Sequence, residues 1–291
     1  RMKRRFLPWL WLTVLLLTIQ AGYAEALNAF GVQIDPQTRV LDFDAASVRV
    51  TDAQAVADLL DQLPAVREVR MFDSELSRED MEWLFDTYPD VFFGWTLRFA
   101  IHTVRTDATA FSTLHRSRMT DPQDRLHTTK ELSILRLCTR LKALDLGHNR
   151  LNDLTFLSGL TELRVLIISP NYALKDLSPL AGLTNLEYLE AFSTDTKDVS
   201  ALSNLTKLRD LNLTCSDHLK DISCLYDLPN LERFWCGNVP ISKQQKQEMM
   251  TRHPDCVFDW GQQPTGGTWR KHPHYDVIHE MFRGDQYIPF D

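Results

Sequence analysis

The sequence predicts an α/β solenoid, a horseshoe of stacked strand-and-return units with a parallel β ladder on its concave face. Three observations predict it. From Leu141 the chain repeats every 22 or 23 residues. Within each repeat, leucines alternate with other residues at the spacing of one face of a strand. Residues 63–95 also align without gaps to residues 228–260, so a longer unit of one type occurs on either side of the periodic stretch.

Taken in order, residues 1–24 are expected to be a secretory signal and no part of the folded body. Arg1, Lys3, Arg4 and Arg5 form a positive start, Phe6 to Ile19 is an uncharged, mostly apolar run, and Ala24 or Ala26 offers a small-residue cleavage site. The run is shorter than the roughly 20 residues a membrane span needs, so no membrane span is expected after cleavage. The 291-residue chain has 32 Lys and Arg against 39 Asp and Glu, and removing residues 1–24 moves the formal charge from −7 to −11. An acidic chain of this kind predicts no nucleic-acid partner, because such binding draws on a basic face.

Residues 25–95 read as N-terminal strand–helix units, with strands at Val40–Phe43 and Val66–Phe72 and helices over Asp52–Leu63 and from Ser77. Residues 96–140 are irregular: Thr96–Phe99 and His102–Arg105 predict a hairpin, residues 105–124 are polar and turn-rich with no assigned element, and Glu131–Cys138 reads as the return half of a degenerate repeat. Residues 141–230 hold four clean repeats. In each, pairs such as Leu144 and Leu146, or Leu211 and Leu213, face the interior, and Asp153, Asp176, Asp198 and Asp221 precede the return segment, where a carboxylate suits the start of a short helical turn. Asn149 and Asn171 are placed to satisfy backbone groups at the bend, and Thr194 and Ser216 replace them in the next two repeats, which predicts weaker bonding there. Residues 231–260 form the second longer unit, with strand Leu231–Gly237 and a helix from Ser242. Residues 261–291 read as a linker, hinged at Gly266-Gly267, and a C-terminal helix that caps the stack, with Tyr275, Ile278, Met281 and Phe282 as its apolar stripe and its histidines exposed. The whole is expected to be one solenoid, since a single repeat cannot bury its own apolar face.

The repeat L-x-x-L-x-L-x-x-N with a D-[LVI]-[ST]-x-L-x-x-L tail is that of leucine-rich repeats, and resembles the short internalin-like class. Together with WTLRFAIHTVRTDATAFSTLH (95–115), ALDLGHN (143–149) and WRKHPHYDVIHEMF (269–282), it is similar to a family of secreted or surface-associated leucine-rich repeat proteins of Firmicutes. The resemblance spans most of the chain beyond residue 24, with departures at Cys224 and Val239, and it implies a bacterial extracytoplasmic protein without bringing an activity.

The sequence contains no GxSxG, HExxH, GxxxxGK[ST] or CxxC pattern, so no enzyme and no cofactor are expected. His272, His274, His279 and Asp276 lack a helical i, i+4 histidine pair and predict no metal site. Of the five cysteines, Cys236 and Cys256 on adjacent strands are the best disulfide candidates, against the alternative of small buried thiols at repeat-core positions. The expected site is the exposed row of the ladder. Tyr188, Phe192 and Trp235 put large rings on a strand face that has no structural need of them, and Glu190, Asp210, Asn212 and Arg233 surround them. Aromatics with Arg are the usual anchors of protein interfaces. The acids, Asp145 among them, favour a basic or hydroxyl-rich partner. The expected function is capture of a protein or peptide on this concave face. The alternatives are a cell-wall or glycan-associated binder or hydrolase that stacks sugars on the rings, or rings that only stabilise the ladder.

Overall fold

The computed structural model describes residues 27–114, 126–261, 263–265 and 269–290. The expected signal at residues 1–24, most of the unassigned stretch after Leu114 and the Gly266-Gly267 hinge lie outside the described residues.

The chain opens with an antiparallel pair, β1 (Leu27–Ala29) and β2 (Val32–Ile34), and then lays down β3 (Val40–Asp42), β4 (Glu68–Arg70) and β5 (Phe92–Gly94) as a three-stranded parallel sheet. Helices α1 (Ala53–Gln62) and α2 (Arg78–Thr87) return between these strands, α1 capped by Asp52 and α2 by a Ser77–Asp80 capping box. The expected hairpin follows as β6 (Thr96–Phe99) and β7 (His102–Arg105). It interrupts the ladder for a visible reason. The Thr106 side chain donates to the Phe93 carbonyl at 2.7 Å and accepts from the Trp95 amide at 2.8 Å, taking backbone groups that a next strand beside β5 would have used.

The ladder resumes at β8 (Ala110–Ser112), a strand within the stretch that the sequence left unassigned. From there β9 (Ala143–Asp145), β10 (Val165–Ile167), β11 (Tyr188–Glu190), β12 (Asp210–Asn212), β13 (Arg233–Trp235) and β14 (Val257–Asp259) add in chain order to a seven-stranded parallel sheet. Helix α3 (Thr129–Leu132) with the 3₁₀ turn after it forms the return of the β8 unit, and single 3₁₀ turns at Thr155–Leu157, Ser178–Leu180, Ser200–Leu202 and Ser223–Leu225 serve the four clean repeats. Helix α4 (Lys243–Arg252) serves the last unit and opens on a Ser242–Gln245 capping box. The two longer units match in detail. Phe93 stacks on Trp95 with centroids 4.8 Å apart, and Phe258 stacks on Trp260 at 5.5 Å. The inward leucines of every unit join one apolar interior that runs from Ile34 to Cys256 across both parallel sheets.

The Asp column caps its turns as expected: Asp153, Asp176, Asp198 and Asp221 accept from the amides of Thr155, Ser178, Ser200 and Ser223 at 2.7–3.0 Å. At the bend, buried Asn171 accepts from the Leu151 amide and donates to the Leu146 and Ile168 carbonyls. Its counterpart Thr194 makes one bond, to the Ala191 carbonyl, and the buried Ser216 hydroxyl has no partner. Asn171→Ala is therefore expected to cost about 2–4 kcal/mol by stranding buried backbone groups, while Ser216→Ala changes stability by less than about 0.5 kcal/mol. Chemical denaturation of the two variants checks the contrast.

All five cysteines are free thiols, Cys236 and Cys256 included. Burial raises the Cys236 thiol to about 12, so it behaves as an inert core residue.

Candidate functional site

The side chains on the outer face of the ladder form a second apolar cluster, separated from the interior by the sheet itself. Ala110, Ala143, Val165, Ile167, Tyr188 and Trp235 pack there against Trp269, Ile278, Met281 and Phe282. The concave face is thus covered by the chain's own C-terminal segment. A 3₁₀ turn at Trp269–Lys271 and helix α5 (Pro273–Gly284) run back across the ladder toward its first strands, where α5 meets β8 and β9 and the Ala110 amide donates to the Asp285 carbonyl. The expected stripe of Ile278, Met281 and Phe282 is buried, with Tyr275 half-buried beside it, but it is buried on the concave face and not over the last strand. The row of positions expected to be solvent-exposed is instead a buried interface.

Each of the seven expected site residues falls within it or beside it. Tyr188 packs its ring 5.5 Å from that of Trp269, and Trp235 lies 5.0 Å from the same ring on the other side. Glu190, fully buried, accepts from the Tyr188 hydroxyl, from Trp269 Nε1 at 2.9 Å and from Arg270 Nη2 at 2.8 Å. Burial and the neighbouring Glu190 hold the Tyr188 hydroxyl protonated, well above its ordinary range. Asp210 accepts from Arg233 Nε and from His274 Nδ1, each at 2.6 Å. Asn212 donates to the Pro264 carbonyl at 2.7 Å, and Arg233 reaches the Trp269 carbonyl while lying 4.4 Å over its indole ring. Phe192 is buried as well, at 5% exposure.

His274 was expected to be exposed and is not. Its Nδ1 lies 2.6 Å from the Asp210 carboxylate and its Nε2 lies 3.4 Å from the Arg209 guanidinium. His279 is exposed, as the sequence predicts, whereas His272 is half-buried. Among the described residues no group of three or more metal-ligating side chains converges.

Among the described residues, one part of the face stays open. Between β8–β10 and α5 lies a cavity of about 290 Å³ lined by Ser112, Asp145, Ile167, Arg270, Tyr275 and Phe282, with His148 and His279 also on its wall. Its Asp145 carboxylate accepts from the Ser112 hydroxyl at 3.0 Å and the Gly147 amide at 2.9 Å. Burial dominates these bonds and raises the acid to about 6. A carboxyl that is harder to ionise folded than unfolded adds stability at low pH and loses it as pH rises through the folded value. The window therefore lies between about pH 4 and pH 6 and is worth about 3 kcal/mol. Asp145→Asn keeps the Gly147 bond through its carbonyl and reverses the Ser112 bond, its NH2 donating to the hydroxyl, so its melting temperature is expected to exceed the native protein's at pH 8, with the gap closing toward pH 4. A gap independent of pH contradicts this.

The profile described as "Leucine Rich repeats (2 copies)" matches residues 139–182, which span β9, β10 and their returns. With seven parallel strands stacked in chain order, that match decides the architecture. The fold is a leucine-rich repeat solenoid. Similar solved structures include internalin C2 of Listeria monocytogenes, 22% identical over 76% of this chain and 80% of that one, with a TM-score of 0.43. Internalin F of Listeria monocytogenes is 19% identical over 74% of this chain and 65% of its own, at 0.40. A leucine-rich repeat protein of Leptospira interrogans is 19% identical over 72% and 52%, at 0.45. No curated protein matches the sequence. No helix among the described residues of the solenoid is long and apolar enough to cross a membrane.

Proposed function

We propose that the protein is a non-enzymatic binding protein, exported by a bacterium of the Firmicutes type and secreted or held at the surface, that takes a protein or peptide partner on its concave face. The observation that carries this reading is that the face already holds a polypeptide. Rings at Tyr188 and Trp235 grip an indole, Glu190 and Asp210 meet Arg270 and His274, and Asn212 takes a backbone carbonyl. These are the anchors by which a groove recognises a chain with aromatic and basic side chains. A partner that reaches Tyr188 or Trp235 exchanges with residues 269–290. The sugar-stacking alternative loses support, because the rings it needs as an open platform are covered. The charged and then apolar start of residues 1–24 supports export.

The test is affinity capture from the producing organism's envelope with chains whose C-terminal segment is held or loosened. The Trp269→Ala chain is expected to retain a protein that an excess of synthetic peptide 265–291 elutes. Retention that ignores the peptide, or that survives the double change Tyr188→Ala and Trp235→Ala, contradicts the concave site.

A further inference from the structure

Three buried carboxylates stand on the outer face of the seven-stranded ladder, Asp145 on β9, Glu190 on β11 and Asp210 on β12, with the half-buried Asp259 beyond them on β14. Two are matched by a guanidinium of the chain itself, Glu190 by Arg270 at 2.8 Å and Asp210 by Arg233 at 2.6 Å. Asp145 makes no ion pair with any described residue, although it is only 8% exposed. It is also the one of the three that lines the open cavity, whose lining includes Ile167, its ladder neighbour on β10, and Ile278 and Phe282 of α5. We propose that this cavity is a binding site for a primary ammonium or guanidinium on a short apolar stem, with Asp145 as its counter-ion.

The chemistry of the walls fits that ligand. The head would supply the charge that a buried carboxylate lacks, and the stem would lie on the aliphatic and aromatic wall, the usual division of labour in a small pocket. Arg270 also lines the cavity, but its guanidinium is bonded to Glu190 and to the Tyr275 hydroxyl, so its charge is offset within the wall. The proposal rests on reading the concave face as a binding face, and gives the chemistry of the part of it that the described residues leave open. A lysine or arginine side chain of a partner and a free alkylamine share this head group.

Calorimetric titration of the full chain separates them, with n-butylamine in one arm and the neutral-ended peptide acetyl-Gly-Lys-Gly-amide in the other. Saturable binding is expected at pH 8, weakened about tenfold at pH 5 by protonation of Asp145. Protonation of His148 or His279 on the wall would act in the same direction. Binding should fall at least about thirtyfold in Asp145→Asn, a variant expected to stay folded. In the unmodified protein, the carboxyl-carbon resonance of Asp145 should titrate at lower pH with butylammonium present than without it. Binding of the amine alone identifies a small-molecule site, binding of the peptide alone a side-chain site, and binding of both a site for either. Binding of neither, affinity unchanged in Asp145→Asn, or a midpoint that does not move overturns the proposal. The peptide-exchange reading of Tyr188 and Trp235 is measured on other residues and survives that outcome.

Discussion

Trp269→Ala is expected to weaken the hold of the ladder on its C-terminal segment by about 3–5 kcal/mol, the usual range for truncating a buried tryptophan. Trp269 is fully buried, its ring lies between Tyr188 and Trp235 and beneath the Arg233 guanidinium, and its Nε1 donates to buried Glu190. The variant loses these contacts together and leaves an acceptor of Glu190 unfilled. The interior between sheet and returns is a separate cluster that the residue does not touch. The loss should therefore appear as faster amide exchange over α5, by about a hundredfold or more, with little change in exchange at the inward leucines such as Leu166 and Leu189. A uniform increase over the whole chain would show instead that segment and solenoid unfold as one unit.

Asp210→Asn is expected to cost about 3–5 kcal/mol, because it strands the Arg233 guanidinium, 4% exposed, without its counter-ion. The pH dependence gives a second readout with a fixed sign. Burial opposes ionisation of Asp210, but the hydrogen bonds from His274 and Arg233 and the guanidinium charge outweigh it and hold the carboxyl below its ordinary range. A carboxyl that ionises more easily folded than unfolded contributes stability above about pH 4, the unfolded value, and that stability is lost as pH falls through the lower folded one. The native protein should destabilise on acidification below about pH 4, and Asp210→Asn should flatten that limb. Asp145 acts in the opposite direction and in a higher window. The two single variants thus change different parts of the melting-temperature profile against pH. Coincident profiles would mean that the two carboxyls do not sit in the environments described.

The sequence revealed the repeats because their physics is local and periodic. An inward leucine, an Asp before a turn and an Asn at a bend each answer to a partner within one repeat, and Asp153, Asp176, Asn171 and the Phe93–Trp95 stack with its Phe258–Trp260 counterpart are where the pattern put them. β8 was not visible, because its three residues, AFS, carry no alternation that a strand needs in order to be recognised. The site was half legible. The pattern picked out Tyr188, Glu190, Asp210, Asn212, Arg233 and Trp235 as side chains that the interior does not need, and they do make an interface. It did not show that the interface is internal. That depends on a match between Glu190 and Arg270, 80 residues apart, and between Asp210 and His274, 64 apart, which no period announces. The available signal was complementarity of composition: WRKHPH carries a ring to pack on the aromatic row and cations to meet its acids, and the stripe Ile278, Met281, Phe282 mirrors the apolar outer positions Ala110, Val165 and Ile167.

The central claim is that residues 269–290 occupy the concave face of the ladder. Hydroxyl-radical footprinting of the intact protein in solution tests it most directly, with Trp83, 41% exposed on α2, as the internal reference. Trp235, Trp269 and Tyr188 are expected to oxidise far more slowly than Trp83, and to become reactive together when Trp269 is kept but Arg270 and His274 are both changed to Ala. Oxidation of Trp235 and Tyr188 at the rate of Trp83 in the unmodified chain would contradict the claim.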